Sequence, residues 1–213
     1  MKFALSAVAF SFALLVPALA EAQELGSKGD VVFSAERLMG IVGTKRTIEA
    51  NPGDVSNDWT SISFGWRAAP GGSPFDVPRL GFDYLAIDHL SIGGSLGYAS
   101  IDPDNGPSGS MFIIAPRVGY LYSFGRVVGI WPRGGFTYHT LGVDGNGGWD
   151  EKGFALSLEC PFTFSPTSHF AFHVGPSFDV DMFGDRKQHG PPEPKYDLTY
   201  RAFGVNAGLL GWF

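Results

Sequence analysis

Apolar and polar residues alternate with period two along most of this chain, in runs of roughly ten residues set apart by turn signals. The apolar rows are unusually aromatic. Between 58 and 68 the row is Thr60, Ile62, Phe64, Trp66 and Ala68, and between 78 and 87 it is Leu80, Phe82, Tyr84 and Ala86. Segment 90–100 gives Ile92, Gly94, Leu96 and Tyr98; segment 111–124 gives Phe112, Ile114, Pro116, Val118, Tyr120 and Tyr122. The alternation continues through 127–140, 152–164, 169–182 and 198–213, where the last row runs Phe203, Val205, Ala207, Leu209, Gly211 and ends on Phe213. Chain ends are ordinarily frayed and polar, so a terminal Phe that completes an apolar row predicts a last strand facing something apolar.

The opposite rows carry Gly, Ser, Thr, Arg, Glu, Asp and His, with many small residues such as Ser91, Gly93, Ser95, Gly97 and Ala99. A soluble sandwich alternates too, but its apolar faces share one core and its polar rows meet bulk water. Small polar residues on one face suit the crowded inside of a narrow barrel, and ten residues is the span of a tilted membrane strand. The connections alternate in length. Asp88-His89, Gly125-Arg126 and Pro166-Thr167-Ser168 are short, whereas 102–110, 142–152 and 184–197 are long and polar. Short periplasmic turns with longer outer loops are the outer-membrane arrangement. The expected fold is all-β: a closed antiparallel up-and-down transmembrane β-barrel of eight strands, or of ten.

Composition agrees. The chain has 30 Gly, 19 Phe and 5 Trp but only 17% charged residues. Positions 1–22 read as a cleaved export signal, with Lys2, an apolar run from Phe3 to Ala20, and small residues at A-x-A spacing. Removing them leaves 191 residues (213 − 22), among which no 18-residue apolar run predicts a membrane helix. A formal net charge of −6 argues against nucleic acid as a partner. Cys160 is alone and cannot form an internal disulfide.

An export signal, aromatic alternating strands and a terminal Phe together resemble a small bacterial outer-membrane β-barrel of the OmpA/OmpX-like class. PRLGFDYLAIDHLSIGGSLGY (78–98) is similar to the hairpin of small porin-like barrel domains. The resemblance covers roughly 58–213 and implies a location in the outer membrane of a Gram-negative bacterium. It also implies that the last strand, with Trp212 and Phe213, is read by the barrel-insertion machinery after escort by periplasmic chaperones. Outer-membrane lipid is then the standing partner of what is expected to be a monomer, and no further domain is expected after the barrel.

Segment 30–43 (DVVFSAERLMGIVG) poses a parity problem. Segments within 58–213 already supply eight strands, with 58–68 rising outward, and closed single-chain barrels normally have an even count. Either 44–50 adds a tenth strand, or 30–43 lies outside the wall. Adjacent Glu36 and Arg37 would point to opposite faces of a strand, whereas on a helix Ala35, Leu38, Met39 and Val42 would share one face. Eight strands are preferred, so residues 23–57 are read as an N-terminal segment outside the barrel, with one or two extra strands as the alternative.

The register places Arg117, Arg133, Glu159 and His173 on consecutive strands near mid-height, facing inward, with Asn206 on the next and Asp83 and Asp179 inward as well. These groups fit either a charge-lined pore or a self-neutralising network filling a narrow lumen. The second is preferred, because buried charges persist only when paired. No enzyme chemistry, cofactor or metal is expected. His89-Leu90-Ser91 superficially resembles the His-x-Ser of a lipid A deacylase but falls in a turn. His139 with Asp144 or Asp150 is the better general-base candidate, yet it lacks an evident nucleophile. DPDNG (102–106) and DGNGGWDE (144–151) lack the glycine and glutamate positions of an EF-hand loop. Arg201 is expected on the lipid-facing row near the outer end, and Cys160 as a small apolar wall residue. The expected role is structural or surface interaction through the outer loops, ahead of a narrow ion or solute channel and a lipid-modifying enzyme.

Overall fold

The computed structural model describes residues 25–50, 53–65, 72–102, 104, 106–145, 147–190 and 194–213. The export-signal reading of 1–22 and the row positions Trp66 and Ala68 lie outside the described residues.

Among the described residues, twelve β segments form one sheet: β1 (Val31–Glu49), β2 (Val55–Phe64), β3 (Arg79–Ile87), β4 (Leu90–Ile101), β5 (Gly109–Tyr120), β6 (Tyr122–Phe124), β7 (Val128–Ile130), β8 (Arg133–Val143), β9 (Trp149–Glu159), β10 (Phe162–Phe164), β11 (Phe170–Gln188) and β12 (Lys195–Trp212). β6, β7 and β10 are the inner ends of strands that continue as β5, β8 and β9. Breaks fall near Pro132 and Pro161, which have no N–H to offer the ladder. The wall runs β1, β3, β4, β5, β8, β9, β11, β12, all antiparallel, and β12 pairs back onto β1 from Val32↔Trp212 to Glu49↔Asp197. It is a closed eight-stranded barrel.

The count of eight is as expected, but the first strand is a different one. Segment 30–43 is neither a helix nor outside the wall: it belongs to β1, the closing strand. Segment 58–68, expected to open the barrel, falls in β2 as far as Phe64; among the described residues β2 pairs with the outer half of β1 and stands off the closed path. The chain then returns inward through a short 3-10 turn, Pro74–Asp76, whose Phe75 is buried in the lumen, before β3 begins.

The expected phase holds along the wall. Phe82, Leu96, Phe112, Phe136, Leu158, Phe172 and Phe203 are exposed, while their inward neighbours are buried. An exterior this apolar has to face lipid rather than water. Phe213 points outward and stacks on Phe33 at 5.6 Å between centroids. Trp212 points inward, into an apolar floor formed by Val32, Leu85, Leu121, Trp131 and Leu210.

Candidate functional site

The lumen is built around a defect in β1. Between Ala35 and Met39 the pairing with β12 slips: three β1 residues, Glu36, Arg37 and Leu38, stand against the single Gly208 between Leu209 and Ala207. Arg37 takes a left-handed φ of 54°, so Glu36 and Arg37 both turn inward instead of alternating. Gly208 lies opposite, and a Cβ there would come within 2.2 Å of the Ala35 carbonyl oxygen. The bulge therefore depends on a partner without a side chain.

Glu36 becomes the hub of the charge network. Its carboxylate accepts from Arg117 Nη1 and Nη2 at 2.7 Å each and from Arg133 Nη1 at 2.7 Å, with Ser34 Oγ donating at 2.9 Å. Arg117 also donates to Asp83, its Nε at 3.1 Å from Oδ1. Arg133 Nη2 reaches Glu159 at 2.7 Å, and Arg37 bridges Glu159 and Asp179 at 2.7 and 3.0 Å. Ser157 Oγ donates to Asp179 at 2.6 Å. With Arg79, four buried guanidiniums stand against four carboxylates, Glu36, Asp83, Glu159 and Asp179, so the belt sums to zero. Pairing of this kind is what allows charges to persist in an interior.

Every residue expected in the belt faces the lumen, but they do not all meet. Arg117 reaches Asp83 past the intervening β4, and Arg133 joins Glu159 on the neighbouring strand. Asn206 Nδ2 donates instead to Ser177 Oγ at 2.6 Å. His173 is buried, and its Nε2 has no hydrogen-bond partner among the described residues. Glu36, Arg37 and Arg79 were absent from the expected set. The first two were hidden because their adjacency argued against a strand; Arg79 sits on the inward row of a strand whose pattern already gave it away.

Apolar layers close the belt on both sides. Below lies the floor containing Trp131, Leu210 and Trp212; above lie Val42, Phe75, Leu198 and Tyr200, with Val77, Met111, Ile113 and Leu141 beside them. The cavities beside Arg133 and Glu159 have free cores of about 10 Å³, room for roughly one water each.

His139 is placed differently from expectation. It is fully buried near the outer end of the lumen, packed against Phe75 at 5.4 Å and Tyr200 at 5.8 Å. Its Nε2 pairs with Asp181 at 2.9 Å rather than with Asp144 or Asp150; Asp150 bonds His189 instead. Tyr200 donates to Glu151 at 2.6 Å in the same layer. His89 sits in the β3–β4 turn with a φ of 68°, as its sequence position implied. Arg201 is exposed on the outward face, and Cys160 is half-buried in the wall.

No protein-family model matches the chain, and no curated protein matches it. Solved structures do. Outer membrane protein OprG from Pseudomonas aeruginosa superposes with a TM-score of 0.55 over 88% of this chain and 97% of its own, at 11% identity. Neisserial surface protein A gives a TM-score of 0.50 over 88% of this chain and 99% of its own, at 12% identity. At such identities the likeness is one of fold. The fold they share with this chain is the small closed eight-stranded β-barrel, and here its exterior is apolar.

Proposed function

We propose that the chain is a small outer-membrane barrel with a side-chain-filled lumen that works through its outer loops, in a structural or surface-interaction role. The observation that carries this reading is the layering of the lumen: a neutral charged belt, hydrogen-bonded through Glu36, held between two apolar plugs. An eight-stranded barrel has interior room for side chains and little more. The polar outer connections, such as those between β4 and β5 and between β11 and β12, are then the part free to engage partners. In this reading outer-membrane lipid covers the wall, the protein is a monomer, and Trp212 and Phe213 serve as the signal read by the insertion machinery.

The competing reading is a narrow channel, which requires the belt to part. Proteoliposomes separate the two. Loaded with a small sugar or amino acid, vesicles containing the folded barrel are expected to leak no faster than empty ones. Solute-size-dependent leak that scales with the amount of folded barrel would replace this reading with the channel.

A further inference from the structure

Arg79 stands apart in the belt. Its side chain is 1% exposed, yet its Nε and Nη2 have no hydrogen-bond partner among the described residues, and it makes no ion pair with a described carboxylate. The other three guanidiniums already hold all four carboxylates of the belt: Arg117 holds Glu36 and Asp83, Arg133 holds Glu36 and Glu159, and Arg37 holds Glu159 and Asp179. Two buried guanidinium N–H atoms without an acceptor are costly, and a water or an ion would satisfy them.

Arg79 lines a small cavity together with Ser95, Arg117, Arg133, Ser157 and Glu159. Two further atoms of this lining lack partners: Ser95 Oγ and Arg133 Nε. Three of the four unpartnered atoms are guanidinium N–H groups, which donate and never accept, and the fourth is a hydroxyl able to donate. The one carboxylate of the lining offers no free acceptor, since both oxygens of Glu159 already accept from arginines. A water placed there would satisfy the donors but bring two hydrogens of its own. An acceptor-only occupant matches the set better. The free core of about 10 Å³ admits one sphere of roughly water size, which excludes phosphate, sulfate and carboxylates.

We propose that this cavity is a binding site for a single monatomic anion of halide size, held by Arg79, Arg133 and Ser95. The anion supplies the missing partner of Arg79 and ties the outer end of β3 to β4 and β8 across the lumen. Its detection does not depend on whether the barrel conducts.

The test is anomalous diffraction from crystals of the refolded barrel in which bromide replaces chloride at about 0.15 M. An anomalous peak within hydrogen-bond reach of Arg79 Nε, Arg133 Nε and Ser95 Oγ is expected. No peak there overturns the proposal, whether the cavity then shows water or Arg79 has turned onto a carboxylate. Arg79→Met is expected to abolish the peak, and a peak that persists overturns the role of Arg79. Should Arg79→Met fail to fold, Ser95→Ala takes its place, with at least a several-fold loss of bromide occupancy expected and unchanged occupancy counting against the site.

Discussion

Arg117 and Glu36 meet inside the barrel through two parallel hydrogen bonds, Nη1 to Oε2 and Nη2 to Oε1, each 2.7 Å long. The pair joins β5 to β1 across the lumen, between strands that are not neighbours in the wall. Such two-pronged, charge-assisted contacts are directional, so the pair fixes how the lumen is filled as well as neutralising it.

Glu36→Gln keeps the side-chain shape and removes the charge that both Arg117 and Arg133 use. Leaving buried guanidiniums undercompensated is expected to cost about 3–5 kcal/mol. Urea titration of the barrel in detergent micelles or bilayers measures it. A loss below about 1 kcal/mol would mean that the belt tolerates an uncovered charge and that Glu36 is not its hub.

The β1 bulge separates two contributions at one residue. Arg37→Ala and Arg37→Gly both lose the pairs with Glu159 and Asp179, but only glycine adopts a φ of 54° without strain. The glycine variant is therefore expected to be more stable than the alanine variant by about 1 kcal/mol. Equal stabilities would indicate that the bulge relaxes once the guanidinium is gone.

Gly208 makes the bulge possible from the opposite strand. Gly208→Ala drives a methyl to 2.2 Å from the Ala35 carbonyl oxygen and 2.4 Å from His173 Nε2, and is expected to cost about 1–3 kcal/mol. Gly53→Ala, with nothing within 4 Å, is the control and should be neutral. The same denaturant titration compares them.

The two last residues divide into a stability role and an assembly role. Trp212 is 3% exposed within the apolar floor, and Trp212→Ala is expected to lower stability by about 3–5 kcal/mol. Phe213 is 64% exposed toward lipid and is expected to matter less to the refolded barrel. In cells the order should reverse, with Phe213→Ala reducing the amount of assembled barrel more than its in vitro stability loss accounts for. Heat-dependent gel mobility reads the folded fraction in both settings.

Much of this was legible in the sequence because a barrel wall has a period of two and a one-residue slip would expose every buried side chain. Phe82, Leu96, Phe136 and Phe203 were assigned outward by that rule alone, and Arg117, Arg133 and Glu159 inward. What escaped was the bulge. Neither Glu36 nor Arg37 announces a left-handed backbone, and side by side they argue against the strand they occupy. Misplacing that strand hid the hub of the belt and promoted 58–68 to a wall position. His139 was misjudged for a related reason: its partner Asp181 is 42 residues away and is brought close only by the pairing of β8 with β9 and β9 with β11.

The central claim is that the belt and its apolar plugs fill the lumen, and single-channel recording tests it most directly. The folded wild-type chain in a planar bilayer is expected to be silent at either polarity, with Glu36→Gln recorded beside it to show whether loosening the hub admits current. Discrete, reproducible conductance steps from the wild-type barrel, altered when Arg133 or Glu159 is neutralised, would contradict the filled lumen.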